Sequence, residues 1–112
     1  MKNDRLENMV RGWFVGDFSP TAFSTTACEV AVKKYRAGDS ESRHHHKVAT
    51  EVTLVLSGSV QMGGRSWNEG DIVTLSPGEE TDFVAMTDAI TVVIKTPCVP
   101  NDKHLFPVVD NL

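Results

Sequence analysis

Three side chains able to bind a metal ion or move a proton fall within eight positions: His44, His46 and Glu51. Imidazole is the commonest metal ligand and the side chain that titrates nearest neutral pH. Two imidazoles with one carboxylate form a facial set that leaves coordination positions open on a divalent ion. The spacing suits that chemistry. On an extended strand His44 and His46 point to one face and His45 to the other. A short polar turn, Lys47 to Thr50, then brings Glu51 to the head of the apolar run Val52, Leu54, Val55, Leu56, which places a carboxylate on the next strand beside the histidine pair. Without a metal, the same residues would make a polar pocket in which His44 and His46 donate hydrogen bonds or act as acid and base.

Strands must position these groups. Residues 1–10 are polar and aperiodic, with at most one helical turn near Arg5 to Val10. Trp13, Phe14, Val15 and Phe18 form an aromatic patch, expected as edge packing over one mouth of the fold or as a dimer contact. Thr25 to Arg36 alternates as a half-buried strand. After a turn at Ala37 to Ser40 come the histidine strand and the Glu51 strand, and Ser57-Gly58-Ser59 reads as a tight hairpin. Short strands follow over Val60 to Met62, Ser66-Trp67, Ile72 to Leu75, Thr81 to Met86 and Ala89 to Lys95. The last looks central, because β-branched residues occupy nearly every position. From Thr96 onward Pro97, Pro100 and Pro107 interrupt pairing, so an extended surface tail is expected. Eight or more short strands with regular turns and no convincing helix argue for an antiparallel sandwich or barrel.

A chain of 112 residues fits one domain: an N-terminal arm over 1–24, a barrel over 25–96 and a proline-containing tail over 97–112. A net charge of -4 without a basic block disfavours nucleic acid as a partner. The N-terminus lacks an apolar signal-like segment and no run is long enough to span a membrane, so a cytoplasmic protein is expected. There, Cys28 and Cys98 are read as buried thiols rather than a disulfide. The aromatic arm and the tail together suggest a homodimer.

Gly38, five residues, His44, one residue, His46, four residues, Glu51, six residues and Gly58 resemble the first signature of the cupin superfamily. A second signature is degenerate in GDIVTLSPGEETDF. Gly70 and Gly78 fit, but Ser76 stands where a proline belongs, Thr81 where a histidine belongs and Ala85 where an asparagine belongs. The resemblance covers about residues 25–96 and implies an all-β antiparallel jelly-roll barrel, the double-stranded β-helix. It also implies a divalent ion, Fe, Mn, Ni or Zn, on His44, His46 and Glu51, with the usual fourth protein ligand replaced by Thr81.

Cupins include dioxygenases, isomerases, epimerases, decarboxylases, lyases and ligand-sensing modules, so fold alone does not decide function. The resemblance implies a small polar metabolite bound and converted inside the barrel, by isomerase- or epimerase-like or oxygenase-like chemistry. The alternative is a non-catalytic binding or sensor module. Cys98 to Leu105, CVPNDKHL, is similar to the tail of some nucleotide-sugar isomerases. On that likeness Tyr35 joins His44 and His46 as a catalytic candidate, and Arg43 and Thr81 are candidates for ligand binding. The plainer reading of Tyr35 and Arg43 is a strand tyrosine and a solvated arginine.

Overall fold

Inward-facing residues at every second position organise the chain into two sheets. The computed structural model describes residues 1–105. In it β1 (Trp13–Val15), β2 (Glu29–Tyr35), β3 (Ser40–His46), β4 (Thr50–Ser57), β5 (Ser59–Met62), β6 (Arg65–Asn68), β7 (Ile72–Leu75), β8 (Thr81–Ala85), β9 (Ala89–Thr96) and β10 (Lys103–Leu105) follow a short 3-10 turn at Leu6–Asn8. One five-stranded sheet runs β1-β2-β9-β4-β7 and the other β10-β3-β8-β5-β6. Neighbouring strands pair antiparallel throughout. The all-β jelly roll expected from the sequence is the architecture found, with β9 inside its sheet as its β-branched run requires.

Strand alternation is cleanest in β4, where Glu51, Thr53 and Val55 are buried and their neighbours are not. Val55, Val60, Met62, Phe83, Ala85 and Ala89 form the apolar core, with Tyr35, Trp67 and Leu75 packed against it. The remaining buried side chains are largely polar: His44, His46, Glu51, Thr53, Thr81, Thr91 and Asp102. One part of the interior is thus greasy and the other hydrogen-bonding, and the histidine strand lies in the second.

The reversal at Gly58 is not the hairpin its sequence suggests. β4 and β5 belong to different sheets, so Gly58 is a corner at which the chain crosses the sandwich. Its φ is +82°, and a Cβ there would lie 2.2 Å from the carbonyl oxygen of Asp88. Asp88 lies in the return crossing from β8 to β9. The two corners are stitched together by Ser59 N–H donating to Thr87 Oγ1 at 3.0 Å and Met86 N–H donating to Ser59 O at 2.9 Å.

The tail also departs from expectation. Beyond Pro97 and Pro100 it re-enters a sheet as β10, pairing with β3 so that Lys103 faces His46 and Leu105 faces His44 across the ladder. Pro107 lies outside the described residues. Asp102 secures the return. Its buried carboxylate accepts hydrogen bonds from the backbone N–H groups of Lys47 and Val48, both at 3.1 Å, and of Ala49 at 2.9 Å. Burial alone would raise its pKa, but these donors outweigh burial and hold it below the usual carboxylate value. Both thiols are free, with Cys98 buried and donating to Glu29 Oε2 at 3.0 Å.

Two consequences can be measured by urea denaturation. Gly58→Ala combines a left-handed φ with a backbone clash and is expected to cost roughly 3 kcal/mol or more, whereas Gly63→Ala, also at positive φ but with open space around it, costs about 1 kcal/mol. Asp102→Ala leaves the turn's N–H groups without their acceptor. It is expected to cost roughly 2 to 4 kcal/mol and to speed amide exchange at Lys47, Val48 and Ala49.

Candidate metal and ligand site

His44 and His46 leave β3 on its inner face and are 5% and 4% exposed, and Glu51 at the head of β4 is 8% exposed. The imidazole centroids are 5.5 Å apart and nearly perpendicular. Each ring is held through Nδ1: His44 by the carbonyl of Ser42 at 2.8 Å, His46 by the carbonyl of Asp102 at 3.3 Å. A carbonyl can only accept, so in the neutral ring each Nδ1 carries the proton and Nε2 keeps its lone pair, the arrangement typical of metal-binding histidines. Among the described residues His46 Nε2 is buried with no hydrogen-bond partner, and it lies 3.4 Å from Glu51 Oε1. Burial lowers the pKa of His44, opposed in part by the hydrogen bond to Ser42, so its ring favours the neutral form.

The donor chemistry therefore fits a divalent ion: a carboxylate and two oriented imidazoles, one of them with an unsatisfied buried nitrogen. Among the described residues, however, no three His, Cys, Asp or Glu side chains are gathered closely enough to form a finished metal cage.

A cavity of about 650 Å³ opens beside this group and is lined by His44, Glu51, Tyr35 and Glu41, with Trp13 and Phe18 from the N-terminal arm. A smaller cavity of about 40 Å³ extends from the same residues toward the core, past Thr53, Thr81 and Thr91. His46 faces a separate cavity of about 150 Å³ beside the tail, shared with Asp102 and Ala49.

Tyr35 lies against Phe83, ring centroids 4.4 Å apart, and its hydroxyl donates to Glu41 Oε2 at 2.9 Å. Burial, and then the negative charge of Glu41, push the phenol's pKa far above its ordinary value. Tyr35 is thus a hydrogen-bond donor in the cavity wall and not a ready base. Burial alone would raise the Glu41 pKa, yet the Tyr35 hydrogen bond and the Lys103 ammonium outweigh it and keep the acid low.

Thr81 is buried opposite His44 in the β3–β8 ladder, its hydroxyl donating to the carbonyl of Asp82 at 2.7 Å. Arg43 lies elsewhere. It alternates to the outer face, where it pairs with Glu80 at 3.0 Å with more than half of its side chain exposed, and it does not line the cavities around His44. His104 returns with β10 and stacks on His45, centroids 5.4 Å apart, on the face of β3 opposite the cavity.

Glu41, Thr53 and Thr91 line the interior without having been singled out from the sequence. Strict alternation from His44 turns Glu41 outward, but the β3–β8 register shifts between Glu41 and His44, and this bulge points the carboxylate inward. The threonines carried a readable signal: each occupies an inward position of an otherwise apolar alternation, Thr53 before Val55 and Thr91 before Val93.

No protein-family model and no curated protein matches the chain. Solved structures do. The lyase DddQ, a DMSP lyase from Ruegeria pomeroyi DSS-3, is 18% identical with a TM-score of 0.71, covering 88% of this chain and 52% of its own. An RmlC-like cupin from Shewanella frigidimarina NCIMB 400 is 20% identical with a TM-score of 0.61, covering 70% and 72%. Oxalate decarboxylase from Bacillus subtilis, described with Mn(II) centres, is 18% identical with a TM-score of 0.61, covering 73% and 25%. Likeness at these identities is a likeness of fold. Two sheets that exchange strands at Gly38, Gly58 and Asp88 around a polar interior, superposing on all three structures, are a double-stranded β-helix, and this chain has the cupin fold.

Proposed function

We propose that the chain is a small metal-binding cupin that binds and converts a small polar metabolite inside the barrel. The observation that carries this reading is the buried Nε2 of His46, which has no hydrogen-bond partner among the described residues and faces the Glu51 carboxylate. Such a nitrogen costs free energy unless something binds it. His44, His46 and Glu51 would hold Fe, Mn, Ni or Zn, and the ion would polarise a carbonyl or hydroxyl oxygen of the substrate.

The protein groups supply the rest. In a metal-free form of the site neutral His44 would accept a proton at Nε2; with Nδ1 held by Ser42, that nitrogen would instead be its ligand atom once an ion is bound. The Tyr35 hydroxyl donates a hydrogen bond toward the cavity, its proton held by Glu41 when no substrate is present. Thr81, in place of a fourth strong ligand, leaves one more position for substrate or water. Arg43 is outside this set. The reaction fitting these groups is isomerase- or epimerase-like proton transfer next to a polarised carbonyl, or oxygenase-like chemistry with iron. The lyase and the decarboxylase that share the fold act on small molecules, which supports that substrate class.

A second reading, binding or sensing without turnover, is favoured by the absence of a finished three-ligand cage among the described residues. In it the same cavity recognises its ligand by hydrogen bonds alone. Among the described residues no helix is long and apolar enough to cross a membrane, and a cytoplasmic location is part of this proposal.

A homodimer is proposed as well, on ground different from the sequence's. The arm's Trp13, Phe14 and Val15 are folded into β1. Apolar side chains recur on the outer face of the first sheet, where Val30, Ile94 and Val52 form one row and Val32, Val92, Leu54 and Ile72 the next; Ile72 and Ile94 are exposed and the others half-buried. An outward face of an antiparallel sheet is normally polar. Four strands about 4.8 Å apart and two rows about 7 Å apart give this patch a footprint on the order of 250 Å², so two copies related by a two-fold axis would bury less than a standard interface and form a weak, transient dimer.

Two measurements test these proposals. Protein purified without a nickel column is expected to carry about one divalent ion per chain by elemental analysis, and His46→Ala and Glu51→Ala to carry none while keeping the β-sheet circular dichroism spectrum. Full ligand binding after chelation, with no turnover, would instead establish the sensor reading. Light scattering is expected to show a dimer near 100 μM that dissociates on dilution to about 1 μM, and a monomer throughout for Ile72→Lys. A wild-type monomer at both concentrations would remove the dimer.

A further inference from the structure

The wide cavity has a charge opposite to that of the chain. Arg11, Lys33, Lys95 and Lys103 line it against Glu29, Glu41 and Glu51, leaving one formal positive charge in a protein whose net charge is -4. Lys103 is paired with Glu41 at 3.2 Å and Lys95 with Glu29 at 3.5 Å. Lys33 donates to the carbonyl of Arg11 at 3.2 Å, a neutral acceptor.

Two of these ammonium groups converge on one ring. Trp13 pairs with Ala31 across the β1–β2 ladder. Lys33 lies two positions further along β2, and Lys95 on β9 is level with Glu29, two positions back. The lysines thus approach the indole from opposite ends, with Nζ atoms 5.6 Å and 4.9 Å from its centroid. The ring's π-face holds them there; Glu29 offsets the charge of Lys95, whereas Lys33 rests on a neutral carbonyl, so the shelf carries more positive than negative charge at a half-enclosed site. Burial, chiefly, lowers the Lys33 pKa; the negative charge of Glu41 opposes it, and Arg11, Lys103 and Lys95 add to the lowering.

We infer that the Trp13, Lys33 and Lys95 shelf recognises the carboxylate of a small organic acid whose polar end reaches His44 and Glu51. This deepens the proposed function and rests on its reading of the cavity as a small-molecule site. A carboxylate fits better than a diphosphate, because Glu29, Glu41 and Glu51 share the cavity and its one net positive charge does not balance a polyanion. The volume, about 650 Å³, is ample for such a molecule.

The test is an NMR titration of the ¹⁵N-labelled full chain, following the indole N–H of Trp13, assigned with Trp13→Phe, beside that of Trp67. Glycerate is the probe, glyceramide its neutral counterpart and pyrophosphate the phosphate arm. Glycerate is expected to shift the Trp13 signal and not that of Trp67, while glyceramide leaves both unchanged. Lys33→Met and Lys95→Met are each expected to weaken glycerate by about tenfold or more, and Lys34→Met, on the outer face, to leave it unchanged. Equal binding of glycerate and glyceramide, insensitive to Lys33→Met, overturns the anion shelf and leaves the small-molecule cavity standing. Tighter binding of pyrophosphate than of glycerate overturns the carboxylate assignment. Absence of any shift in cavity resonances with all three probes overturns both the shelf and the reading beneath it.

Discussion

The site depends on one short tie, the Asp102 side chain closing over the turn between β3 and β4. That turn carries His46 at its start and Glu51 just past its end, so the separation of the two is set by how the turn is held. Asp102 holds it twice, with its carboxylate on the N–H groups of Lys47, Val48 and Ala49 and with its own carbonyl on Nδ1 of His46. The first contact fixes the loop and the second fixes which nitrogen of the ring is free. A residue near the end of the described chain thereby sets the tautomer of a residue in its middle, which is how a short barrel without a deep core can keep an imidazole oriented.

Division of the interior into an apolar and a polar part follows the same economy. Val55, Val60, Met62, Phe83, Ala85 and Ala89 stabilise the sandwich by burial, and the corners at Gly38, Gly58 and Asp88 gather on their side. His44, Glu51, Thr53, Thr81 and Thr91 take the other part, where alternation would otherwise have placed aliphatic side chains. Their hydroxyls and rings give up packing energy for directed hydrogen bonds. His45 Nδ1, His46 Nε2 and Thr91 Oγ1 are buried without a hydrogen-bond partner among the described residues; the last two lie in the polar part, where a protein can reserve polar atoms for something it binds.

Much of the barrel was legible because its signals are periodic. β2 alternates, β4 carries an apolar run and β9 is β-branched at nearly every position, each clear enough to be read directly, and the glycines mark their turns. Gly58 shows the limit: a left-handed glycine serves a hairpin and a sheet-to-sheet corner equally well, and only the pairing partners distinguish them. β1 and β10, three residues each, are too short to show a period and exist because a neighbouring strand offers them an edge. For the site, spacing put His44, His46 and Glu51 on consecutive strands, which the fold sets in opposite sheets, and all three are buried. The same alternation turns Arg43, next to His44, to the outer surface, in line with its plainer reading as a solvated arginine and against its reading as a ligand contact. Spacing missed Glu41, since a register shift is a property of two strands and is not written in one.

That register shift gives β3 a particular freedom. The direction of the Glu41 carboxylate is decided by one surplus residue in the ladder, while the histidines downstream are fixed by their own pairing with β8 and β10. Losing that residue would move an acid from the lumen to the solvent with the amino-acid content of the pocket wall otherwise intact. A barrel of this kind can therefore exchange its interior charge through strand length, a route that substitution patterns alone do not reveal.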